Sequence, residues 1–216
     1  MPRIGRQIAH DEHVDLDCIR ACFSTDRGRS FRYSLHIRFR CDRQRDQLVA
    51  VVLKNPSSAD EARADNTIRR VETYVFKRFP RAREIAVLNL FALRATDASD
   101  LAAHIADHGI RSATGDRNDA IIADDLNRSH HILLAWGATS GISKPRYEER
   151  IHAVVQMLRP HADRIRTVDH VPTSGYPRHG LRWSYSHPAR PVTDLTDLAA
   201  RSPAEHREIA AWEGDR

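Results

Sequence analysis

The residues best suited to chemistry follow an apolar run at residues 48–53. They are amide, hydroxyl and carboxylate side chains with one proline among them: Asn55, Pro56, Ser57, Asp60 and Asp65. Proline cannot donate to a strand ladder, and asparagine and serine bond to local backbone, so we expect the chain to turn here. The carboxylates are candidates for polarising a water molecule or, alternatively, for capping the helix that follows. We predict that this loop is the active centre.

Three arginines are candidates for binding an anion such as a phosphate. Arg69 and Arg70 open a predicted helix, whose positive dipole end disfavours cations, so we expect them to face an anion. Arg178 stands beside His179, an imidazole that is either a functional group or a solvated loop residue. A net charge of +5 and the excess of arginine over lysine permit a polyanionic partner, although genome composition also accounts for the arginines.

The elements that position these residues are read from hydrophobic periodicity. Apolar runs typical of buried strands occur at residues 48–53, 84–91, 131–136 and 164–171. Helical spacing of apolar residues occurs at residues 68–79, 118–128 and 147–158, with a short helix near Ser99. Residues 31–40 alternate, which predicts a half-exposed antiparallel strand near a sheet edge. The alternation of strand and helix predicts an α/β fold: a three-layer, doubly wound, mostly parallel sheet with helices on both faces.

In such a sheet the carboxyl ends of the parallel strands share one edge, where ligands bind. Polar or aromatic residues follow four of the predicted strands: Asn55; Asn89 with Arg94; Trp136; and Arg178 with His179. We therefore expect these four clusters to meet around one cleft. The alternative is that Asn55 only caps a turn and Trp136 only packs in the core.

The chain is long enough for one full domain, which we place at residues 31–185 between extensions at 1–30 and 186–216, the latter with a helix at 204–212. We find no membrane-spanning run or signal-peptide core, so we expect a cytoplasmic location. We also expect a monomer.

No phosphate-loop, dinucleotide, nucleophile-elbow or zincin motif is present, and we expect no cofactor or metal. A zinc site is the alternative, but its ligands fit no standard module: Cys18, Cys22, His10 and His13. The three cysteines, with Cys41 the third, are expected to be reduced.

Several segments between residues 31 and 181 resemble the bacterial domain-of-unknown-function 1643 family. They are Phe31-Arg32-Tyr33-Ser34-Leu35, Asn55-Pro56-Ser57 with Ala59-Asp60, Asp65-Asn66-Thr67-Ile68-Arg69-Arg70, Asn89-Leu90-Phe91-Ala92-Leu93-Arg94, Asn118-Asp119, Ala135-Trp136-Gly137 and Pro177-Arg178-His179. The resemblance covers some two-thirds of the chain and implies no activity by itself.

A second resemblance does imply an activity. A buried strand ending in Asn-Pro, a strand ending in Trp-Gly and a late histidine loop are together similar to the uracil-DNA glycosylase superfamily. That resemblance implies that Asn55 positions the attacking water and that His179 contacts the leaving base, with His187 as the rival late histidine. Leu53-Lys54 stands where the superfamily has a glycine-rich lead-in, and this departure allows a base other than uracil.

The resemblance implies a monofunctional DNA glycosylase that flips a base out of DNA and hydrolyses its N-glycosidic bond. Asp60 or Asp65 would assist the water. A lyase needs an amine nucleophile, and Lys54 is the one lysine expected near the site, so a monofunctional glycosylase is favoured. The base would be bound by Pro56, Ser57, Asn89, Phe91 and Trp136, and the DNA phosphates by Arg69, Arg70, Arg94 and Arg178.

The excised base would be uracil or a modified base, such as a hypermodified base of phage DNA, which implies repair or phage defence. Two alternatives remain: an enzyme acting on free nucleotides or nucleosides, and a non-catalytic nucleic-acid-binding protein.

Overall fold

One mixed β-sheet organises the part of the chain that the computed structural model describes, namely residues 7–26, 28–40, 44–95, 98–195 and 198. Its strands are β1 (Arg20–Asp26), β2 (Arg29–Arg38), β3 (Gln47–Leu53), β4 (Ala82–Asn89), β5 (His131–Leu134), β6 (Ile165–Val168) and β7 (Ala189–Pro191). They lie side by side in the order β1-β2-β4-β3-β5-β6-β7. The predicted helix at residues 204–212 and the thiol of Cys41 lie outside the described residues.

The four central strands, β4, β3, β5 and β6, are parallel, because helices carry the chain back between them. The outer strands β1, β2 and β7 are antiparallel. The predicted α/β class and the antiparallel strand after residue 30 are thus confirmed. The sheet is more mixed than the predicted mostly parallel one, because the hairpin β1–β2 adds to one edge and β7 adds to the other, both antiparallel to the strands they join.

Helices cover both faces of the sheet, as predicted. They are α1 (Asn66–Arg78), α2 (Ala98–His108), α3 (Ile110–Thr114), α4 (Asn118–Arg128) and α5 (Lys144–Leu158). Helices α2 to α5 enclose one apolar core, which contains Val52 and Leu134 of the sheet. Helix α1 packs over the other face, where it buries Val51 and Leu133. None of the helices in the described ranges is long and apolar enough to cross a membrane.

Strand β2 is buried on both faces, whereas the sequence predicted one exposed face. Arg32 and Ser34, both expected at the surface, are only 1% and 4% exposed. The reason for Arg32 is that the loop after β3 folds over it, so that its Nη1 donates a hydrogen bond of 2.6 Å to the Ala59 carbonyl. A buried arginine thus lies at the start of β2.

The segment before β1 packs onto α1. His10 Nδ1 lies 2.5 Å from Glu72 Oε1, and the backbone N–H of Asp11 donates to the other oxygen of Glu72. His13 stacks on Phe76, with 3.8 Å between ring centroids. These histidines are therefore engaged with α1, and within the described ranges no cluster of three or more His, Cys, Asp or Glu could hold a metal ion.

Candidate active site at the strand ends

A cavity of about 440 Å³ lies where β3 ends, and its walls come from four distant parts of the chain. Its polar lining residues are Arg32, Lys54, Asn55, Ser57, Asp65, Asn66, Thr67, Ser140, His179 and Arg182. Asn55 and His179, which the sequence assigned to one site, thus face the same cavity. The volume lies within the range of small-molecule sites, roughly 300–1,000 Å³.

The side chain of Asn55 ties the loop after β3 to the loop after β4. Its Nδ2 group donates to the carbonyls of Pro56 and Ala95, at 3.1 and 2.8 Å. Arg94 reinforces this connection, since its Nε donates to the Ser57 carbonyl at 3.1 Å. Both protons of the Asn55 amide are therefore used by the protein, and no described residue donates a hydrogen bond to its Oδ1.

The two predicted carboxylates have different positions. Asp65 is the N-cap of α1, where its Oδ1 accepts the Ile68 N–H at 2.8 Å, and it lines the cavity while being only 8% exposed. Asp60 does not line the cavity, because its Oδ1 closes a turn by accepting the N–H groups of Ala62 and Arg63. Asp65 is therefore the carboxylate of this site.

The segment at residues 169–183, here called the histidine loop, docks against the strand ends through its backbone. Gly137 donates its N–H to the Pro177 carbonyl at 3.1 Å, and Gly180 donates to the Ala135 carbonyl at 3.3 Å. Trp183, which is 1% exposed, packs on Tyr74 of α1 and anchors the far end of the loop. This packing brings His179 to the cavity.

His179 is a neutral hydrogen-bond donor at physiological pH. Burial, the nearby Lys54 ammonium and Arg182 lower the pKa of His179 to about 4, although Asp65 opposes the shift. Its Nδ1 accepts the Leu181 N–H at 3.3 Å, which assigns the proton of the neutral ring to Nε2. The imidazole therefore offers an N–H donor rather than a positive charge.

Lys54 is buried at the end of β3, and its Nζ donates to the Ser140 hydroxyl at 2.6 Å and to the Ala138 carbonyl. Nζ also lies 5.3 Å from the centroid of the Tyr147 ring. Burial lowers the pKa of Lys54 to about 8. The side chain therefore remains mainly protonated at neutral pH, and it forms no ion pair within the described residues.

Arg32 lines the cavity, and sequence reasoning did not assign it to the site. Its position at the start of an antiparallel strand places it beside the carboxyl end of β4, where its N–H donates to the Ala92 carbonyl. Burial lowers the pKa of Arg32 to about 10, with Asp65 opposing and Arg94 assisting the shift, so it stays charged. Ser140 was also missed, because nothing in its sequence context distinguishes it from a loop serine.

Three residues predicted to bind a base lie in the core instead of the cavity. Phe91 and Trp136 are fully buried in the core under α2 to α5, and Asn89 is fully buried at the end of β4. Pro56 also lies off the cavity, where its carbonyl accepts from Asn55 and from the Ala95 N–H. Of the predicted base-binding set, the structure brings only Ser57 to the cavity.

The four arginines predicted to bind DNA phosphates do not line the cavity. Arg69 pairs with Asp11 at 3.6 Å, and Arg178 pairs with Asp169 at 3.3 Å. Arg70 donates to the Trp183 carbonyl at 3.0 Å and thereby helps to hold the histidine loop, while Arg94 holds the Ser57 carbonyl.

The rival histidine also lies elsewhere. His187 lies 3.6 Å from Asp169 and is not part of the cavity wall.

Comparison with known proteins gives one match. The model of a family described as a protein of unknown function (DUF1643) matches residues 32–181. The matched range contains every residue lining the cavity except Arg182. No curated protein and no solved structure matches the chain.

Proposed function

Because the chain belongs to the DUF1643 family, whose description states no activity, we propose from the site itself that the protein hydrolyses the N-glycosidic bond of a nucleotide. The observation that carries this proposal is that the Asn55 amide and the His179 imidazole line one cavity. The target is a flipped uracil or modified base in DNA, as the resemblance to the uracil-DNA glycosylase superfamily implies. A hypermodified base of phage DNA would make the role defence, and uracil would make it repair.

The order of the strands supports the resemblance to the uracil-DNA glycosylase superfamily. From β3 the chain proceeds first to β4 on one side and then to β5 and β6 on the other, so the direction of strand addition changes at β3. Ligands in doubly wound sheets bind at the carboxyl ends of strands at such a switch point. The cavity lies at the end of β3, which is where a doubly wound glycosylase-like fold would place its substrate.

The chemistry requires a water molecule, support for a cationic sugar and a donor for the departing base. Asn55 Oδ1, to which no described residue donates, would accept a hydrogen bond from the water and orient it. The Asp65 carboxylate supplies negative charge for the oxocarbenium-like sugar. His179 Nε2–H donates a hydrogen bond to the base as negative charge develops on it.

We propose that water, and not a lysine amine, is the nucleophile. Lys54 is the lysine that lines the cavity, but its ammonium already donates to Ala138 and Ser140. An amine must lose its proton before it can attack a sugar carbon, and with a pKa of about 8 Lys54 is mostly charged at pH 7. The reaction is therefore monofunctional.

The proposal is tested by incubating the protein with uracil-containing DNA and with hypermodified phage DNA and then measuring abasic sites. We expect abasic sites in at least one substrate, and at least tenfold fewer with Asn55→Ala. Retained DNA binding by Asn55→Ala would separate the enzyme from a non-catalytic binding protein. Absence of abasic sites from every DNA tested would defeat the glycosylase proposal.

A second candidate, hydrolysis of free nucleotides at the same cavity, is favoured by one observation. The arginines expected to grip DNA are each engaged by a protein carboxylate or carbonyl, so the described surface provides less support for a DNA backbone than the sequence implied. Nucleotide affinity that is nearly insensitive to salt would favour this candidate, whereas DNA binding loses affinity steeply with salt.

A further inference from the structure

We infer that the cavity contains a phosphate subsite formed by Arg32, Arg182 and the first turn of α1. The inference deepens the proposed function, on which it rests, because it assigns the phosphate to the nucleotide whose glycosidic bond is cleaved. It also relocates phosphate recognition from the surface arginines to the interior of the cavity.

The first observation is the unsatisfied guanidinium of Arg32. The residue is 1% exposed and lines the cavity, but among the described residues only its Nη1 has a hydrogen-bond acceptor, the Ala59 carbonyl. Its buried Nε has no acceptor among the described residues. Burying a charged group with only part of its hydrogen bonds satisfied is costly, whereas phosphate oxygens would accept hydrogen bonds from the remaining N–H groups of the guanidinium.

The second observation is the amino end of α1, a helix of 13 residues. The first N–H groups of a helix have no acceptor within the helix and carry its positive dipole. Asp65 caps the Ile68 N–H, while Asn66 and Thr67, the first two helical residues, line the cavity. A helix terminus of this kind binds phosphate when donors and positive charge converge on it.

The third observation is the charge of the cavity wall. Three cationic side chains, Arg32, Lys54 and Arg182, line it, and the one carboxylate among the lining residues is Asp65. Arg182 lies on the exposed end of the histidine loop, and its side chain forms no ion pair within the described residues. The excess of positive charge matches a phosphate, which carries about −1.5 to −2 as a monoester.

Calorimetric titration tests the subsite without requiring turnover. The probes are 2′-deoxyuridine 5′-monophosphate, 2′-deoxyuridine and inorganic phosphate, each added to the full chain. We expect the nucleotide to bind at least tenfold more tightly than the nucleoside. Arg182→Gln should abolish most of that difference, whereas Arg190→Gln, which removes the same charge from exposed β7, should change it less than twofold.

Arg32→Lys is the second variant, because lysine keeps the positive charge but lacks the planar N–H donors of the guanidinium. A thermal melt shows whether this variant is folded. We expect it to weaken nucleotide binding about tenfold while nucleoside binding is retained. If Arg32→Lys does not fold, Arg182→Gln decides alone.

A further arm uses a short single-stranded uracil-containing oligonucleotide to distinguish the source of the phosphate. If Arg182→Gln weakens binding of the mononucleotide, the subsite binds a phosphate monoester. If it weakens binding of the oligonucleotide alone, the subsite binds a phosphodiester of DNA. Equal affinities for nucleotide and nucleoside, together with an oligonucleotide affinity that ignores Arg182, would overturn the subsite. The two proposals can fail separately: the titrations measure binding to the subsite, whereas the abasic-site assay measures base excision.

Discussion

A Cβ atom placed on Gly137 would lie 2.9 Å from the Cβ of His179, closer than two side chains pack. Gly137 also has a φ of +69°, a conformation that costs most residues with a side chain about 1–2 kcal/mol. The glycine after β5 therefore has two functions. It turns the strand end, and it leaves the space that the histidine loop occupies.

Gly137→Ala is expected to displace His179 and lower the rate of base release at least tenfold. The matched control is Gly109→Ala, because Gly109 has a similar φ of +83° but nothing within 4 Å of its would-be Cβ. Both variants should lose stability in thermal melts because each places a side chain at a positive φ, and Gly137→Ala should lose more because of its clash with His179. Equal activity of the two variants would show that the clash with His179 does not matter.

His179→Ala is expected to reduce base release about 100-fold, the usual loss for one donor to a developing anion. His179→Gln should recover part of this loss, since its amide is also a neutral donor. Because the pKa of His179 lies at about 4, the wild-type rate should show no titration of this residue between pH 5.5 and 7.5. A rate that follows a group titrating near pH 6.5, and loses that dependence in His179→Gln, would contradict a neutral donor.

Affinity for a nucleotide phosphate is expected to fall as the pH rises from 7 to 9. Burial holds the pKa of Lys54 near 8, so its positive charge disappears in this interval. Of the other groups around it, Arg32 keeps its charge because its pKa of about 10 lies above this interval, and burial keeps the Tyr147 phenol neutral. Arg182 and Asp65 are the remaining charged side chains of the cavity wall. Lys54→Met should bind more weakly at pH 7 and show a smaller change with pH, as measured by titration calorimetry.

Borohydride reduction in the presence of abasic-site DNA is expected to give no covalent adduct at pH 7. Lys54 is the lysine that lines the cavity, and its ammonium is held by hydrogen bonds. An adduct that forms with the wild-type protein and is lost in Lys54→Met would contradict the monofunctional mechanism. This measurement does not depend on which base the enzyme removes, because the abasic site is already present.

Protein stability is expected to decrease between about pH 6.5 and pH 9 through His36. Its ring lies between Glu84 at 2.8 Å and Asp125 at 3.2 Å, which together outweigh burial and raise the pKa of His36 to about 9. The stabilisation is complete below the unfolded pKa of about 6.5 and disappears as pH rises through the folded value.

The matched variant for that prediction is His36→Gln. It should lower the free energy of unfolding by on the order of 2 kcal/mol at pH 6 and by less at pH 10, as measured by urea denaturation. A wild-type stability that does not fall relative to His36→Gln over this interval would contradict the charged histidine.

The sequence was sufficient to predict that the loop after β3 and the loop that carries His179 border one cavity, because a buried run followed by Asn55 and Pro56 marks the carboxyl end of a parallel strand. It also placed helices on both faces and a helix at residues 68–79, where the structure has α1 with Asp65 as its cap; the sequence left Asp65 and Thr67 as alternatives for that cap. Hydrophobic periodicity could not show that β2 is covered on both sides, since the covering loop is distant in sequence. The burial of Arg32 was therefore not predictable from its alternating neighbours.

Which polar residues reach the cavity was harder to predict. Strand-end residues alternate between the two faces, so Asn89 and Trp136 turned into the interior although they follow the same edge as Asn55. The surface arginines were assigned from their charge and their sequence position, whereas Arg69 and Arg178 have carboxylate partners that only the folded chain brings near.

The antiparallel direction of β2 has a practical consequence for protein engineering. Arg32 enters the cavity from a strand that precedes all four parallel ones, so a shortened gene product that begins at β3 would retain the crossover unit but lose a guanidinium. Transplanting this cavity into another scaffold would require the first hairpin as well as the parallel strands.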